Sequence, residues 1–107
     1  MDTKDTVRDW LESAGFDPEN GVIVLHEWGR NYPYKAKTAE IVTIDDPRLA
    51  KEFDSGYGSP ECPPFIAKDN KAIFFPSQYD GATCINRVEL DINYYLNVEN
   101  ATPYPGG

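Results

Sequence analysis

The sequence is short of basic residues, histidine, cysteine and long apolar runs, and each shortage excludes something. Ten Lys and Arg stand against 18 Asp and Glu, for a net charge of −8. Such a chain repels phosphate and has no surplus of cations to displace its counterions, so direct nucleic-acid binding is not expected. No stretch approaches the 18 or more apolar residues that would suggest a membrane-spanning helix. The opening MDTKDTVRDW is charged where a signal peptide carries an apolar stretch, so a soluble, cytoplasmic protein is expected. Without export, the Asn100-Ala101-Thr102 sequon is idle.

Cys62 and Cys84 lie outside any Cys-x-x-Cys pattern, and a reducing compartment disfavours a disulfide between them. Two cysteines and the single His26 fall short of the four ligands of a structural zinc site. No cofactor is implied by any motif. There is no internal repeat and no parallel strand–helix–strand rhythm, so a dinucleotide fold is not expected.

What is present fits one small domain. At 107 residues with 13% aromatic side chains, a single core is within reach despite nine prolines and eight glycines. The expected architecture is α+β: about four largely antiparallel strands, an N-terminal helix and one short helix. Residues 1–99 form the domain, and 100–107 an extended tail.

Val7, Trp10, Leu11 and Ala14 recur at helical spacing, which predicts a helix over roughly 5–14, capped by Thr3 or Thr6 and ended by Gly15. DPENG (17–21) reads as a turn. GVIVLHEW (21–28) reads as a central strand covered on both faces, and TAEIVTI (38–44) as its neighbour. DDPRLAKEF (45–53) predicts a short helix with Asp46 as cap, Pro47 at its first position, and Leu49, Ala50 and Phe53 inside. Residues 71–98 predict a hairpin about Asp80-Gly81, with Pro76 at an edge or bulge. Its second arm is expected to run on through Val88, Leu90, Ile92, Tyr94, Leu96 and Val98 as one alternating strand.

EFDSGYGSPECPPF (52–65) has the composition of a catalytic loop, but its details argue against one. A nucleophilic cysteine needs a nearby base and an oxyanion site. Glu61 beside Cys62 raises the thiol pKa, the prolines remove N–H donors, and nothing in the spacing brings His26 near. Gly56-Tyr57-Gly58 is not followed by a helix that could hold an anion at its N-terminus, so a phosphate loop is excluded. Glu52, Asp54, Ser55 and Glu61 lack the regular spacing of a calcium loop. The remaining reading is an ordered contact loop packed down by Tyr57 and Phe65. RNYPYKAK (30–37) interleaves Arg30, Tyr32, Tyr34 and Lys35, a composition suited to stacking and anion pairing.

Two classes of function follow, with a third compatible with either. The first is a non-catalytic, acidic protein-binding inhibitor. Its partner would be a larger protein with a basic, nucleic-acid-binding surface, such as a CRISPR or restriction effector. Small phage or mobile-element proteins that block host defence enzymes share this general look, and the compartment would then be the host cytoplasm. The expected contacts are Asp5, Asp9, Glu12, Glu52, Asp54, Glu61, Glu89 and Asp91, with Tyr57, Arg30, Tyr32, Tyr34 and Lys35 from loops. The second is a nucleotide- or anion-handling enzymatic domain built on His26, Glu27, Arg30, Tyr32 and Tyr34. The third is a structural subunit that pairs with its own copy through an edge strand.

Overall fold

Thr6 offers a cap, and Val7, Trp10 and Leu11 make an apolar stripe at helical spacing. In the computed structural model, which describes residues 4–28, 36–56, 62–79 and 82–100, they form helix α1 (Val7–Ser13). The Thr6 hydroxyl accepts from the Asp9 amide at 3.0 Å, satisfying one of the donors a helix leaves open at its start. Gly15, at φ 86°, ends the helix in a conformation that side chains with a Cβ resist. Asp5, expected in the first helical turn, lies instead in a short strand, β1 (Lys4–Asp5). It pairs antiparallel with β4 (Phe53–Asp54), a partner that local spacing does not reveal.

The main sheet contains β2 (Val22–Trp28), β3 (Ala36–Val42), β5 (Phe65–Lys68), β6 (Ala72–Tyr79) and β7 (Ala82–Glu89). Its order is β3-β2-β5-β6-β7, and every neighbouring pair is antiparallel. The protein is therefore a small α+β domain, with five strands rather than four in the main sheet and a two-stranded sheet beside it. β6 and β7 pair from Ala72↔Glu89 to Tyr79↔Ala82, as the hairpin reading requires, although Asp80 and Gly81 lie outside the described residues. Pro76 sits beyond the short β5–β6 ladder, where its missing N–H breaks no pairing to β5.

One face of the sheet carries Ile23, Leu25, Phe65, Ala67, Ala72 and Phe74, and all are buried. Val7, Trp10, Leu11, Phe16, Leu49 and Phe53 cover that face. Trp10 meets Phe53 edge-on at 4.9 Å between ring centres, and Phe16 meets Phe74 the same way at 5.5 Å. The other face is only partly covered by the described residues, with Val24, Ile73 and Val88 of intermediate exposure. Val22 and Ile66 are half exposed and Ile41 is 75% exposed, so among the described residues β2 is paired on both edges but fully covered on one face only. This corrects the reading of GVIVLHEW as covered on both sides. Its apolar run sits in a two-layer domain, where an antiparallel sheet needs only one buried face.

Two further expectations are corrected. Residues 45–53 make a single 3-10 turn, Pro47–Ala50, before the chain extends at Lys51 and enters β4. Asp46 caps the turn and Pro47 opens it, as expected, and Leu49 and Phe53 are buried, but Ala50 is exposed. Pairing of Phe53 with Asp5 takes the backbone that a longer helix would have used. The expected alternating strand stops at Glu89, and 3-10 turns follow at Ile92–Leu96 and Val98–Asn100. The Asp91 carboxylate accepts from the Asn93 amide at 3.0 Å, and the Asn97 side chain from the Glu99 amide at 3.1 Å. Such local turns compete with strand pairing and here replace it. Ile92, Leu96 and Val98, expected in the core, are 74%, 77% and 84% exposed. Asn100, placed in the tail, closes the last turn by bonding Asn97, while 101–107 lie outside the described residues.

Gly21 is held closely as β2 begins. A Cβ there would lie 2.3 Å from the Phe16 ring and 2.6 Å from the Asp17 carbonyl oxygen. The backbone carbonyl cannot rotate away as a side chain can. Gly21→Ala is expected to cost about 1–3 kcal/mol through overpacking, read as a lower urea midpoint with an unchanged slope.

Candidate functional site

The helix-bearing side of the sheet carries the charge. Strand alternation and the register place Glu27 opposite Thr38 and Glu40 opposite Leu25, all pointing to the side of α1. Glu89 points the same way, since it pairs with buried Ala72. The layer above adds Asp9 and Glu12 on α1, Asp5 and Asp54 on the small sheet, and Asp46 and Glu52 around the 3-10 turn. The outer face of the five strands carries no carboxylate among the described residues, and its charges are Lys37 and Lys68. A protein of net charge −8 thus places its strand and helix acids on one side of the sheet.

These acids differ in how they are held. Asp9, Glu12 and Glu52 are exposed and make no ion pair among the described residues. Asp5 is half-buried and accepts a short hydrogen bond from the Ser55 hydroxyl. The Asp54 carboxylate is exposed and accepts from the Gly56 amide at 2.8 Å. Glu89 is drawn inward, since Arg87 Nε donates to its carboxylate at 2.8 Å, and its side chain is 20% exposed. Asp91 stays exposed beyond the strand end, so Glu89 and Asp91 do not form the flat acidic strand face expected of them. Glu61, Tyr57, Arg30, Tyr32, Tyr34 and Lys35 lie outside the described residues.

Sequence reading missed the densest charged cluster. Arg48 donates to Glu40 at 2.6 Å and to Asp46 at 2.9 Å. Hydrogen bonding to that guanidinium holds the Glu40 carboxyl below its ordinary range and the Asp46 carboxyl at about 2, while Arg48 is pushed further up. Asp46-Pro47-Arg48 was readable as a capped turn. Glu40 arrives from β3, and only the tertiary fold brings it there.

Beside this cluster is a cleft of about 300 Å³. Leu25, Phe53 and Pro63 supply apolar lining, and Glu27, Glu40, Glu52, Arg48 and Lys51 supply charge. His26 also lines it, and its amide donates to the Pro64 carbonyl at 2.9 Å. Adjacent residues of a strand point to opposite faces, so the side chains of His26 and Glu27 do not converge as an acid–base pair. Arg48 already holds two carboxylates, with which an incoming anion would compete.

Cys62 is half-buried, and its thiol donates to the Pro63 carbonyl at 3.3 Å. Burial pushes this thiol up to about 12, the opposite of what a nucleophile needs. Cys84 is a free thiol on the exposed part of β7. No group of three or more His, Cys, Asp or Glu side chains arranged for a metal ion occurs among the described residues. No helix among them is long and apolar enough to cross a membrane.

No protein-family model, curated protein or solved structure matches this chain.

Proposed function

We propose that the protein is a non-catalytic binding module whose acidic, helix-bearing side seats on the basic, nucleic-acid-binding surface of a larger protein and occludes it. The observation that carries this reading is the placing of strand and helix carboxylates on one side of the sheet, with Asp9, Glu12 and Glu52 exposed and without an ion pair among the described residues. Such a surface offers negative charge where a basic groove expects phosphate, and its field steers the encounter. A partner of this kind is a nucleic-acid-handling defence enzyme, a CRISPR or restriction effector, with the chain as its phage- or mobile-element-encoded inhibitor in the host cytoplasm. The cleft is less suited to a nucleotide or free anion, since three of its charged lining residues are glutamates.

The test compares wild type with the triple variant Asp9→Lys, Glu12→Lys, Glu52→Lys as baits in nuclease-treated host lysate. All three side chains are exposed, so both baits are expected to melt alike. The expected result is a nucleic-acid enzyme retained by wild type, released as salt rises, and lost from the variant. Equal retention by both baits refutes the proposal.

A further inference from the structure

The cleft beside the Arg48 cluster lies between two parts of the chain. Leu25 and Glu27 come from β2, and Glu52 and Phe53 from the chain entering β4. Leu25 and Phe53 are buried and form its floor, with Pro63 half-buried at the side. At about 300 Å³ it lies at the low end of ligand clefts, which run to about 1,000 Å³, so it suits one side chain better than a nucleotide. We propose that this cleft receives an arginine side chain from the partner's basic surface, with Glu27 and Glu52 accepting from the guanidinium and the apolar lining taking the stem. The inference rests on the function proposed above and names the group that the acidic side grips.

Charge selects a cation. Arg48 is matched by Glu40 at 2.6 Å and by Asp46 at 2.9 Å, so that group as a whole remains negative. Glu27 and Glu52 are exposed and make no ion pair among the described residues. Glu27 accepts one hydrogen bond from the Thr38 hydroxyl, at 3.5 Å, too long to hold it firmly. Lys51 opposes them, but it is exposed, and its long stem lets the ammonium reach water. Glu27, Glu40, Asp46 and Glu52 therefore outnumber Arg48 and Lys51 around the cleft.

Shape selects arginine among cations. Its planar fork of donors serves two carboxylates that come from different elements, whereas a lysine ammonium is a compact and strongly hydrated point charge. The cleft already shows this chemistry within the chain. Arg48 divides its guanidinium between Glu40 of β3 and Asp46, the cap of the 3-10 turn. Arginine is also favoured where a single side chain anchors an interface, and where a surface recognises phosphate.

The cleft and the helix then divide the work. Asp9 and Glu12 stand exposed on α1, where salt screens them, and they serve the long-range encounter. An ion pair formed against Leu25, Phe53 and Pro63 is screened less, so the cleft fixes where the partner sits.

The test titrates the full chain with Nα-acetyl-arginine amide and follows the backbone amide NMR shifts of Leu25, Glu27 and Phe53. Nα-acetyl-citrulline amide, of the same shape without the charge, and Nα-acetyl-lysine amide are the controls. The arginine probe is expected to saturate with a Kd of roughly millimolar size, and both controls to bind more weakly. Glu27→Gln and Glu52→Gln should each weaken the arginine probe by about fivefold, and Lys51→Gln should tighten it by about twofold. Should Glu27→Gln fail to fold, Glu52→Gln, outside the main sheet, decides alone. Shifts that do not saturate, controls that bind as well as arginine, or a folded Glu-to-Gln variant with unchanged affinity overturn the inference. The probe needs no partner, so a failed titration leaves the proposed function to the lysate experiment. Arginine binding by a chain that retains no enzyme leaves the cleft as a site and overturns the function instead.

Discussion

Asp69→Ala is expected to lower the unfolding free energy by about 3 kcal/mol, because three backbone donors lose their acceptor at once. Asp69 is 3% exposed, in the turn between β5 and β6. Its Oδ1 accepts from the amides of Lys71 at 2.8 Å and Ala72 at 2.9 Å, and its Oδ2 from the amide of Asp17 at 2.9 Å. One carboxylate therefore shapes the β5–β6 turn and ties it to the loop that follows α1. Asp69→Asn should cost less, because the amide oxygen replaces one acceptor while its NH₂ group meets donors.

The same residue sets a pH dependence. Burial raises the Asp69 carboxyl, but hydrogen bonds from Asp17, Lys71 and Ala72, helped by the charge of Arg87, outweigh it and leave the group below its ordinary value. A carboxyl depressed in the folded state contributes stability above its unfolded pKa, about 3.9, and loses it as pH falls through the lower folded value. Urea midpoints should therefore fall on acidification below about pH 4, and Asp69→Asn should flatten that limb. An equally steep acid limb in Asp69→Asn would show that other carboxylates carry it. Asp46 and Glu40, depressed by Arg48, act in the same direction, but they lie at the surface and added salt screens them.

Phe74→Ala is the second large effect, expected at about 3–5 kcal/mol from lost burial and the cavity left behind. Phe74 is fully buried, meets Phe16 edge-on, and lies under the Arg87 guanidinium at 5.4 Å from ring centre to carbon. Arg87 also donates to the Ala14 carbonyl at 2.6 Å, at the carbonyl end of α1, where a cation is favoured. Removing the ring therefore loosens the sheet, the Phe16 loop and the helix end together. Ile41→Ala, on the outer face, should change the unfolding free energy by under about 0.5 kcal/mol. Urea unfolding of both variants checks the contrast. Equal losses would mean that the outer face is buried within the monomer.

The parts of the fold that rest on neighbours in sequence were legible. Thr6 and the Val7, Trp10, Leu11 spacing specify a capped amphipathic helix, and Gly15 stops it. Asp46-Pro47 opens a turn, and Asp80-Gly81 between β-rich arms marks the two-residue gap in the β6–β7 ladder. Composition gave the acidity. In each case the deciding interactions span a few residues, where propensity and periodicity act.

The rest depends on which distant segments meet. Val22 and Val24 read as covered on both sides of a central strand, yet they face away from α1, because the described residues build two layers that bury one face. Leu90, Ile92, Leu96 and Val98 have a strand's period, but the Asp91 and Asn97 turns remove the backbone from the ladder. No local pattern singles out Asp69. Its burial depends on Asp17, 52 residues away, and Glu40 finds Arg48 only because β3 passes the 3-10 turn. The sequence by itself determined the helix, the hairpin and the sign of the charge, through local backbone preference and side-chain period. Only the tertiary structure decided which side bears the acids and which apolar face is fully covered, because sheet order and layering are settled by pairings between residues far apart in the chain.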